Sequence, residues 1–272
     1  MDRPGSDTLF AGSIPELYDS HLVPLIFEPY AADLARRVAA RDPSRVLETA
    51  AGTGVVTRAM ARALPAHAEL VATDLNQPML DRGAAVGTQR PVTWQQADAT
   101  RLPFDDASFD IVVCQFGVMF FPDKVGAFAE ARRVLRHGGA LLFNVWDRIE
   151  ENEFAHTVTT ALAGVFPADP PLFMARTPHG YFDRAAISRD LADAGFSVTP
   201  RFETVAARSR AVSARVPAIA YCQGTPLRSE IEARSGAGLA EATSACAAAI
   251  AERFGAGPVD GKIQAHIVIA QS

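Results

Sequence analysis

The sequence predicts an α/β fold built on a doubly wound, mostly parallel sheet of seven strands. Two observations support this prediction. Between residues 44 and 146, short apolar runs alternate with helical patterns, which is typical of parallel strands joined by crossover helices. After residue 195, two further strand-like runs enclose a stretch of helical patterns, and they complete the set of seven strands.

The first five strands are predicted from runs rich in apolar and β-branched residues. These runs cover residues 45–48, 69–74, 92–97, 110–115 and 140–146. Helical patterns lie between them at 55–64, 78–86 and 124–135. The last of these helices is expected to stop at His137, Gly138 and Gly139. The alternation brings the carboxyl ends of the strands, where such sheets bind ligands, to one edge.

The flanking segments predict additional helices and the two remaining strands. Before the first strand, residues 14–40 suggest two helices broken near Pro24 or Pro29. After residue 146 we expect the following elements in order: a helix over 151–166, a proline-rich loop, a helix from the N-cap Asp183 to Gly195, a strand over 196–207, helical segments at 216–234 and 238–254, and a strand over 262–270 with Gly261 in its turn.

Composition and charge exclude several classes of protein. The net charge of −5 argues against a nucleic-acid or anionic-membrane surface, because binding phosphates requires a positive field. The N-terminal residues lack the basic start and apolar core of a secretory signal, so we expect a cytoplasmic protein. The three cysteines are widely spaced without a CxxC pair, and we expect no metal site. The oligomeric state stays open, with a homodimer as the assembly considered.

A glycine-containing loop follows the first strand. Gly52 and Gly54 allow the backbone to approach a ligand closely, because neither carries a Cβ. A dinucleotide fingerprint would need a third glycine, but Thr57 stands in its place. Glu48 at the strand end would repel a pyrophosphate and attract an ammonium group. The loop therefore favours a nucleoside that carries an amino acid.

Two more carboxylates follow the next strands. Asp74 ends the second strand, where a carboxylate can accept hydrogen bonds from both hydroxyls of an unphosphorylated ribose. Asp98 follows the third strand, where it could accept a hydrogen bond from the exocyclic amino group of adenine, while the N–H of Ala99 meets a ring nitrogen. Each acidic residue is thus assigned to one part of the ligand.

These motifs resemble those of the class I S-adenosylmethionine-dependent methyltransferases, in particular the ubiquinone/menaquinone-biosynthesis-like branch that acts on small molecules. The resemblance rests on four runs in the family's order: VLETAAGTGVVT, ATDLNQPML, QADATRLPFDDASFDIVVCQFGVMFFPD and VLRHGGALLFNVW. It covers about residues 15–148. It implies a Rossmann-like sheet with an antiparallel last strand and a helical substrate cap.

The resemblance also implies a division of the chain. We expect one methyltransferase domain over 1–272, in which residues 1–40 form an N-terminal helical lid and 41–148 the cofactor-binding core. Residues 149–182 would be a cap insertion, and 183–272 would complete the sheet. The implied cofactor is S-adenosyl-L-methionine, and the implied partner is a small-molecule methyl acceptor.

Specific cofactor contacts follow from the same resemblance. Gly52, Thr53 and Gly54 would line the methionine part of the cofactor, and Tyr18 would close over its carboxylate. The adenosine contacts would come from the ends of the second and third strands: Asp74 at the ribose, Leu75 and Met79 sandwiching adenine with Ala99, and Asp98 at its amino group. Gln115 and Phe116 would lie near the sulfonium. Two residues depart from the family pattern, Glu48 for the usual aspartate and Ala50 for the usual glycine, and they predict a slightly tighter loop.

Methyl transfer from a sulfonium needs no acid for the leaving group, so alignment and exclusion of water can supply most of the rate. An acceptor that must lose a proton would need a base, for which the candidates are His21, His156 and His179. The apolar segment 147–180 suggests an apolar or aromatic acceptor. Two alternatives are an NAD(P)-dependent oxidoreductase on the same fold and a catalytically inactive S-adenosylmethionine-binding protein.

Overall fold

The computed structural model describes residues 14–272, so the first 13 residues of the predicted N-terminal lid lie outside the described residues. The strands in this part of the chain are β1 (Arg45–Glu48), β2 (Glu69–Asp74), β3 (Thr93–Gln96), β4 (Phe109–Gln115), β5 (Leu135–Trp146), β6 (Arg201–Ala211) and β7 (Val259–Gln271). They form one sheet in the order β3, β2, β1, β4, β5, β7, β6. Strands β1 to β5 pair in parallel and the last strand is antiparallel, which confirms the predicted Rossmann-like sheet.

Helices connect and flank these strands. They are α1 (Ile14–Leu17), α2 (Glu28–Ala39), α3 (Val55–Ala63), α4 (Gln77–Val86), α5 (Lys124–Val134), α6 (Glu153–Val165), α7 (Phe173–Arg176), α8 (Arg184–Asp193), α9 (Arg215–Gln223), α10 (Leu227–Glu232) and α11 (Leu239–Phe254). Single 3-10 turns cover Val118–Phe120 and Ile149–Glu151. None of the helices within residues 14–272 has both the length and the hydropathy that a membrane-spanning helix requires.

The N-terminal helices are continuous rather than broken. A π-helix, Tyr18–Phe27, joins α1 to α2 and contains Pro24. Proline lacks an N–H and clashes with the preceding turn of an α-helix, and the wider turn of a π-helix relieves that clash. Pro29 lies in the first turn of α2, where proline is tolerated. The predicted helix break is therefore wrong.

Three boundaries in the C-terminal part also differ from the prediction. Strand β6 begins only after Pro200, because proline cannot donate to the hydrogen bonds of a sheet. The helical segment predicted at 216–234 is split into α9 and α10 by Gly224 and Pro226. Gly261 lies inside β7 rather than in a turn, and an added Cβ there would come within 3.0 Å of the Phe154 ring.

The chain divides into two compact units, which are described separately. The sheet unit comprises Glu28–Val145, Tyr181–Val205 and Ala265–Ser272. The helical unit comprises the described part of Met1–Phe27 together with Trp146–Gly180 and Ala206–Gln264. The predicted lid, core and cap boundaries stay predictions.

The sheet unit has an apolar core between α2, α3 and the strands. Leu34 and Val38 of α2 and Met60 of α3 are fully buried against Val46 of β1 and Val113 of β4. Burying side chains of this size contributes about 1.5–3 kcal/mol each. This packing holds the ends of β1 and β4 in place, and with them the loops that follow.

The helical unit has its own core, formed by α6, α9 and α11. The rings of Phe154 and Phe254 meet edge to face with centroids 5.0 Å apart. The buried thiols of Cys222 and Cys246 lie 3.7 Å apart and are both free. Helices α9 and α11 are thus packed closely through small side chains.

Candidate active site

The carboxyl ends of four parallel strands come together at one edge of the sheet unit. Asp74 at the end of β2 pairs with Gln96 at the end of β3, and Gln115 at the end of β4 pairs with Asn144 of β5. Glu48 ends β1, which lies between β2 and β4. The strand-end residues predicted from the sequence therefore lie along the same edge, as expected for a ligand site in this type of sheet.

The loop after β1 contains three residues with a left-handed backbone conformation. Ala50, Gly52 and Gly54 adopt φ angles of 51°, 57° and 81°, all in the left-handed region. The N–H of Ala51 donates to the carbonyl of Thr73 at 2.9 Å and ties the loop to β2. Alanine in this region costs roughly 1–2 kcal/mol relative to glycine. Ala50 therefore has a strained backbone, and the slightly tighter loop predicted from Glu48 and Ala50 stays a prediction.

Ala50 is accommodated because Gly117, just after β4, has no side chain. A Cβ added to Gly117 would overlap the Cβ of Ala50 and would lie 2.7 Å from Cys114 Sγ. Gly117 itself has an ordinary negative φ of −100°, so space rather than backbone conformation requires a glycine there. The loop after β1 and the segment after β4 are therefore in direct contact.

Trp94 of β3 packs against the glycine loop, a contact that the sequence analysis missed. A Cβ added to Gly54 would lie 2.6 Å from Trp94 Cη2, and a Cβ added to Gly83 of α4 would lie 2.9 Å from the same atom. The indole ring thus covers both glycines. Gly54 is required by this contact as well as by its left-handed φ, and no spacing in the sequence links these residues.

Asp74 is buried and holds the loop directly. Its Oδ2 accepts a hydrogen bond of 2.8 Å from the N–H of Gly52, and its Oδ1 accepts one of 2.8 Å from the N–H of Asn76. Burial raises the pKa of this carboxyl, and the hydrogen bonds from Asn76 and Gly52 oppose that rise. Asp74 therefore connects the end of β2 with the first glycine of the loop.

Glu48 is also buried, which changes the charge expected of it. Its side chain is 1% exposed, and its Oε2 accepts a hydrogen bond of 2.6 Å from Thr57 Oγ1. Burial raises the pKa of Glu48 from 4.5 to about 8, against the lowering effects of the Thr57 bond and of Arg58. The negative charge expected at this position is therefore mostly absent near pH 7, because desolvation favours the neutral acid.

Thr53 contributes an unsatisfied polar atom. Its Oγ1 is buried and has no hydrogen-bond partner within residues 14–272, whereas its carbonyl accepts a bond of 2.6 Å from Arg58 Nη1. An unpaired buried hydroxyl costs about 1–3 kcal/mol. A ligand that offers a polar group to this hydroxyl would remove that cost.

The ends of β2 and β3 differ in their exposure to solvent. Leu75 is 51% exposed, whereas Met79 is buried. Asp98 is exposed, and its Oδ1 accepts two hydrogen bonds of 2.8 Å from the N–H and the hydroxyl of Thr100. Ala99, in the same turn, is half-buried. The exposed Leu75 is an apolar surface beside the carboxylates, as a ring-binding site would need.

The end of β4 carries a second strained residue. Phe116 has a φ of 51°, and its N–H donates to Asn144 Oδ1 at 2.9 Å and to the Asn144 carbonyl at 3.2 Å. Asn144 Nδ2 also donates to Gln115 Oε1 at 3.5 Å. The Tyr30 ring packs edge-on against Phe116 with centroids 5.3 Å apart. Asn144 thus orients both predicted residues, a role that its place in an apolar run does not indicate.

The remaining predicted residues belong to the helical unit. Tyr18 stacks on Phe27, with ring centroids 5.1 Å apart. His21 Nδ1 lies 2.8 Å from Ser20 Oγ, and His156 is half-buried on α6. His179 is buried, with Nδ1 2.9 Å from the carbonyl of Asp147. Their proposed roles stay predictions. In the part of the chain that the structure describes, no three His, Cys, Asp or Glu side chains form a cluster suited to a metal ion.

Comparison with known sequences identifies relatives among the methyltransferases. The family described as "Methyltransferase domain" matches residues 47–143. A demethylmenaquinone methyltransferase of Deinococcus radiodurans is 40% identical over 110 residues, which are 40% of this chain and 45% of that protein. A demethylmenaquinone methyltransferase of Mycobacterium sp. (strain KMS) is 34% identical over 162 residues, 56% of this chain and 67% of that protein. The chain thus spans less than half of the first relative's length.

Comparison with solved structures supports the fold. A protein of Bacillus halodurans C-125 superposes with a TM-score of 0.56 at 21% identity, covering 89% of this chain and 97% of that one. The cyclase SpnF superposes with a TM-score of 0.54 at 19% identity, covering 89% of this chain and 80% of that one. Because the same fold occurs in a cyclase, the fold alone does not determine the reaction, and the site residues must carry that argument.

Proposed function

This chain belongs to the methyltransferase domain family, and from that membership and the strand-end site we propose that it transfers a methyl group from S-adenosyl-L-methionine to a small-molecule acceptor. One observation carries the proposal. The loop after β1 is bound through Gly52 to the buried carboxylate of Asp74, and it contains the buried, unpartnered hydroxyl of Thr53. A polar ligand whose groups reach this loop would satisfy that hydroxyl.

The residues along the strand ends fit the parts of the cofactor. We assign the methionine part to the loop from Glu48 to Gly54, which includes Ala50 and Thr53, with Tyr18 as a further contact. Asp74 would accept hydrogen bonds from the ribose hydroxyls. The exposed Leu75, with Met79 and Ala99, would contact adenine, and Asp98 its amino group. Gln115 and Phe116 would flank the reactive end.

The chain's own contribution to the reaction is positioning. When bound, S-adenosylmethionine supplies a methyl group on a positively charged sulfur. Asn144 holds the backbone of Phe116 in its strained conformation, so the end of β4 is fixed before any ligand arrives. A nearby ammonium group would favour the ionised form of Glu48, whose pKa is otherwise about 8. Alignment of this kind lowers the barrier without a dedicated base.

The proposed acceptor is small and apolar or aromatic. The relatives are named as demethylmenaquinone and ubiquinone/menaquinone biosynthesis methyltransferases, and these names indicate small-molecule acceptors for those proteins. Because this chain spans less than half the length of either, we propose the class of acceptor and not its identity. A homodimer stays a prediction, which light scattering of the purified protein would check.

Transfer of a tritiated methyl group tests the proposal. The protein is incubated with methyl-tritiated S-adenosylmethionine and fractionated small metabolites, with the Asp74→Ala variant as the control. We expect label in small, extractable molecules with the native chain and a large loss of label with the variant. In a parallel incubation with the protein and nucleic-acid fractions, label found only there would contradict a small acceptor, and absence of label in every fraction would contradict the proposed activity.

A further inference from the structure

Two glycines from different elements approach the outer edge of the Trp94 indole ring. A Cβ added to Gly54, in the loop after β1, would lie 2.6 Å from Trp94 Cη2 and 3.3 Å from Cζ3. A Cβ added to Gly83, in α4, would lie 2.9 Å from each of the same two atoms. The outer edge of the ring therefore packs where the loop and the helix meet.

Gly83 lies in the interior of α4, where glycine weakens a helix because it loses more backbone entropy on folding than alanine does. Its backbone is not in the left-handed region, so its conformation does not require a glycine. The space around it does, because an added Cβ would approach both Trp94 and, at 3.2 Å, the carbonyl carbon of Thr53. Gly83 thus allows the loop and the indole ring to lie directly against α4.

The backbone of Trp94 is held by the sheet. Trp94 pairs with Ala72 of β2, in the same register that pairs Gln96 with Asp74. Asp74 in turn accepts the hydrogen bond of 2.8 Å from the N–H of Gly52. The strand that carries the indole ring is therefore fixed relative to the carboxylate that holds the loop, and the ring contacts the loop from a rigid support.

Thr53 is the loop residue that these contacts position. Its carbonyl carbon lies close to the Cβ position of Gly83, and its carbonyl oxygen accepts a hydrogen bond of 2.6 Å from Arg58 Nη1. Its Oγ1 is buried and has no hydrogen-bond partner in the described part of the chain. Contacts with α4 and α3 thus hold the backbone of Thr53, while its hydroxyl stays available to a ligand.

Helix α4 also carries Met79, one turn before Gly83 and on the same face. Met79 is the proposed adenine contact, whereas Thr53 belongs to the loop proposed for the methionine part of the cofactor. The packing of Trp94 against Gly54 and Gly83 therefore joins the two halves of the proposed site. A ligand that reaches both halves binds tightly only when their separation matches its own length.

We propose that Trp94 is a positioning residue that sets the separation between the loop from Gly52 to Gly54 and helix α4. This inference rests on the proposed function, which it extends by naming the residue that selects a ligand in which an adenosine is joined to an amino acid. Trp94 acts through the loop and the helix rather than by touching the ligand. Its ring fills the junction between them, and a smaller side chain would let the two move relative to each other.

Two ligands that share an adenosine test this inference. S-adenosylhomocysteine carries both the adenosine and the amino acid, whereas 5′-methylthioadenosine keeps the thioether and lacks the amino acid. We expect calorimetric titration of the native chain to show at least about 50-fold tighter binding of S-adenosylhomocysteine. In Trp94→Ala this preference should fall about tenfold, because the shorter ligand reaches only one half and should keep its affinity within about threefold. A general loss of folded protein would leave the ratio of the two dissociation constants unchanged.

A pair of compensating substitutions separates positioning from simple packing. Trp94→Phe has a shorter ring that does not extend to the positions of Cη2 and Cζ3, and it carries the test if Trp94→Ala does not fold. Gly83→Ala places a methyl group 2.9 Å from those two atoms, so each single variant should lower the preference about threefold or more. In the double variant the methyl group occupies the space that the indole leaves, so the preference should be about threefold higher than in Gly83→Ala alone.

Thr93→Ala is the matched control, because Thr93 is exposed and points to the opposite face of β3. This variant should keep the native preference within about twofold. With a native chain that prefers S-adenosylhomocysteine, three results would overturn the inference: an unchanged preference in Trp94→Ala, an equal loss in Thr93→Ala, or a double variant no better than Gly83→Ala. Failure of the proposed function gives a different result. If the native chain bound neither ligand, or bound both equally, the cofactor assignment itself would fail, and the positioning role would fail with it.

Discussion

Asp74 and Asp98 occupy equivalent places in the sequence pattern, each at the end of a parallel strand, but their surroundings differ. Asp74 is buried, binds the N–H groups of Gly52 and Asn76, and has a raised pKa. Asp98 is exposed, and its hydrogen bonds go to Thr100 in its own turn. One carboxylate organises the glycine loop, and the other closes a surface turn.

The difference shows that a position at a strand end does not by itself determine how much an acidic residue contributes to ligand affinity. A buried carboxylate interacts strongly because water does not screen it, whereas an exposed one competes with solvent. We therefore expect most of the binding energy for the cofactor to come from Asp74 and the loop after β1, rather than equally from Glu48, Asp74 and Asp98.

The largest expected effect on cofactor binding comes from Asp74→Ala. The variant loses charge-assisted bonds to the ribose and leaves the N–H of Gly52 without its acceptor, so affinity for S-adenosylmethionine should fall at least about 100-fold, or roughly 3 kcal/mol. Calorimetric titration measures this loss. Asp81→Ala, which removes an exposed carboxylate from α4, is the matched control and should bind normally. Equal affinity of the two variants would show that the buried carboxylate of Asp74 is not needed for binding.

The largest effect on stability is expected for Glu48→Gln, which should change how the free energy of unfolding depends on pH. Its folded-state pKa of about 8 lies above the ordinary 4.5, so the folded protein binds the extra proton, and this group's contribution to stability falls as pH rises from about 4.5 to 8. Glu48→Gln cannot ionise. Its free energy of unfolding should exceed that of the native chain by about 4 kcal/mol at pH 8, with the gap closing near pH 4.5. Urea denaturation across this pH range would show it, and a constant gap would contradict the assignment.

A smaller effect on stability is expected from Gly117→Ala, because Gly117 after β4 contacts Ala50 in the loop after β1. Gly117→Ala would place a Cβ against Ala50 and Cys114, which should cost about 2 kcal/mol of unfolding free energy. In an Ala50→Gly background one of those clashes disappears, so the cost should fall by about 1 kcal/mol. A double-mutant cycle by chemical denaturation measures this difference. Additive effects would show that the loop after β1 and the segment after β4 are energetically independent.

The smallest effect is expected for Asp98→Asn. Asparagine keeps an oxygen that can accept from Thr100, so the turn should be preserved, and an exposed charge contributes little. Affinity for S-adenosylmethionine should change by about threefold or less, or roughly 0.7 kcal/mol. A loss of affinity comparable to that of Asp74→Ala would mean that burial does not determine which of the two carboxylates contributes more to binding.

Much of the sheet unit could be predicted because its signals are local. Apolar β-branched runs marked β1 to β5, and Gly52, Gly54 and Asp74 marked the loop and strand end where the site lies. The predictions that were wrong concern proline and glycine residues whose effect depends on their surroundings. Pro24 lies within a π-helix and does not end it, and Gly261 packs against the Phe154 ring inside a strand rather than in a turn. Local pattern alone does not distinguish these outcomes.

The parts of the site that escaped prediction are contacts between distant segments. Trp94 covers Gly54, Asn144 holds Phe116, and Gly117 makes room for Ala50. Each pair joins segments that are at least 28 residues apart, so no periodicity links them. The burial of Glu48 was missed for the same reason, because desolvation depends on the whole fold, and the type of residue alone suggested a charge.

Calorimetric titration of the native chain with S-adenosylmethionine and, separately, with NAD distinguishes a methyl-donor site from a dinucleotide site. The two ligands share an adenosine, and they differ in that one carries an amino acid and the other a pyrophosphate. We expect saturable one-to-one binding of S-adenosylmethionine and no measurable binding of NAD, because the loop near Glu48 lacks the third glycine of a pyrophosphate site. Saturable binding of NAD without binding of S-adenosylmethionine would contradict this expectation.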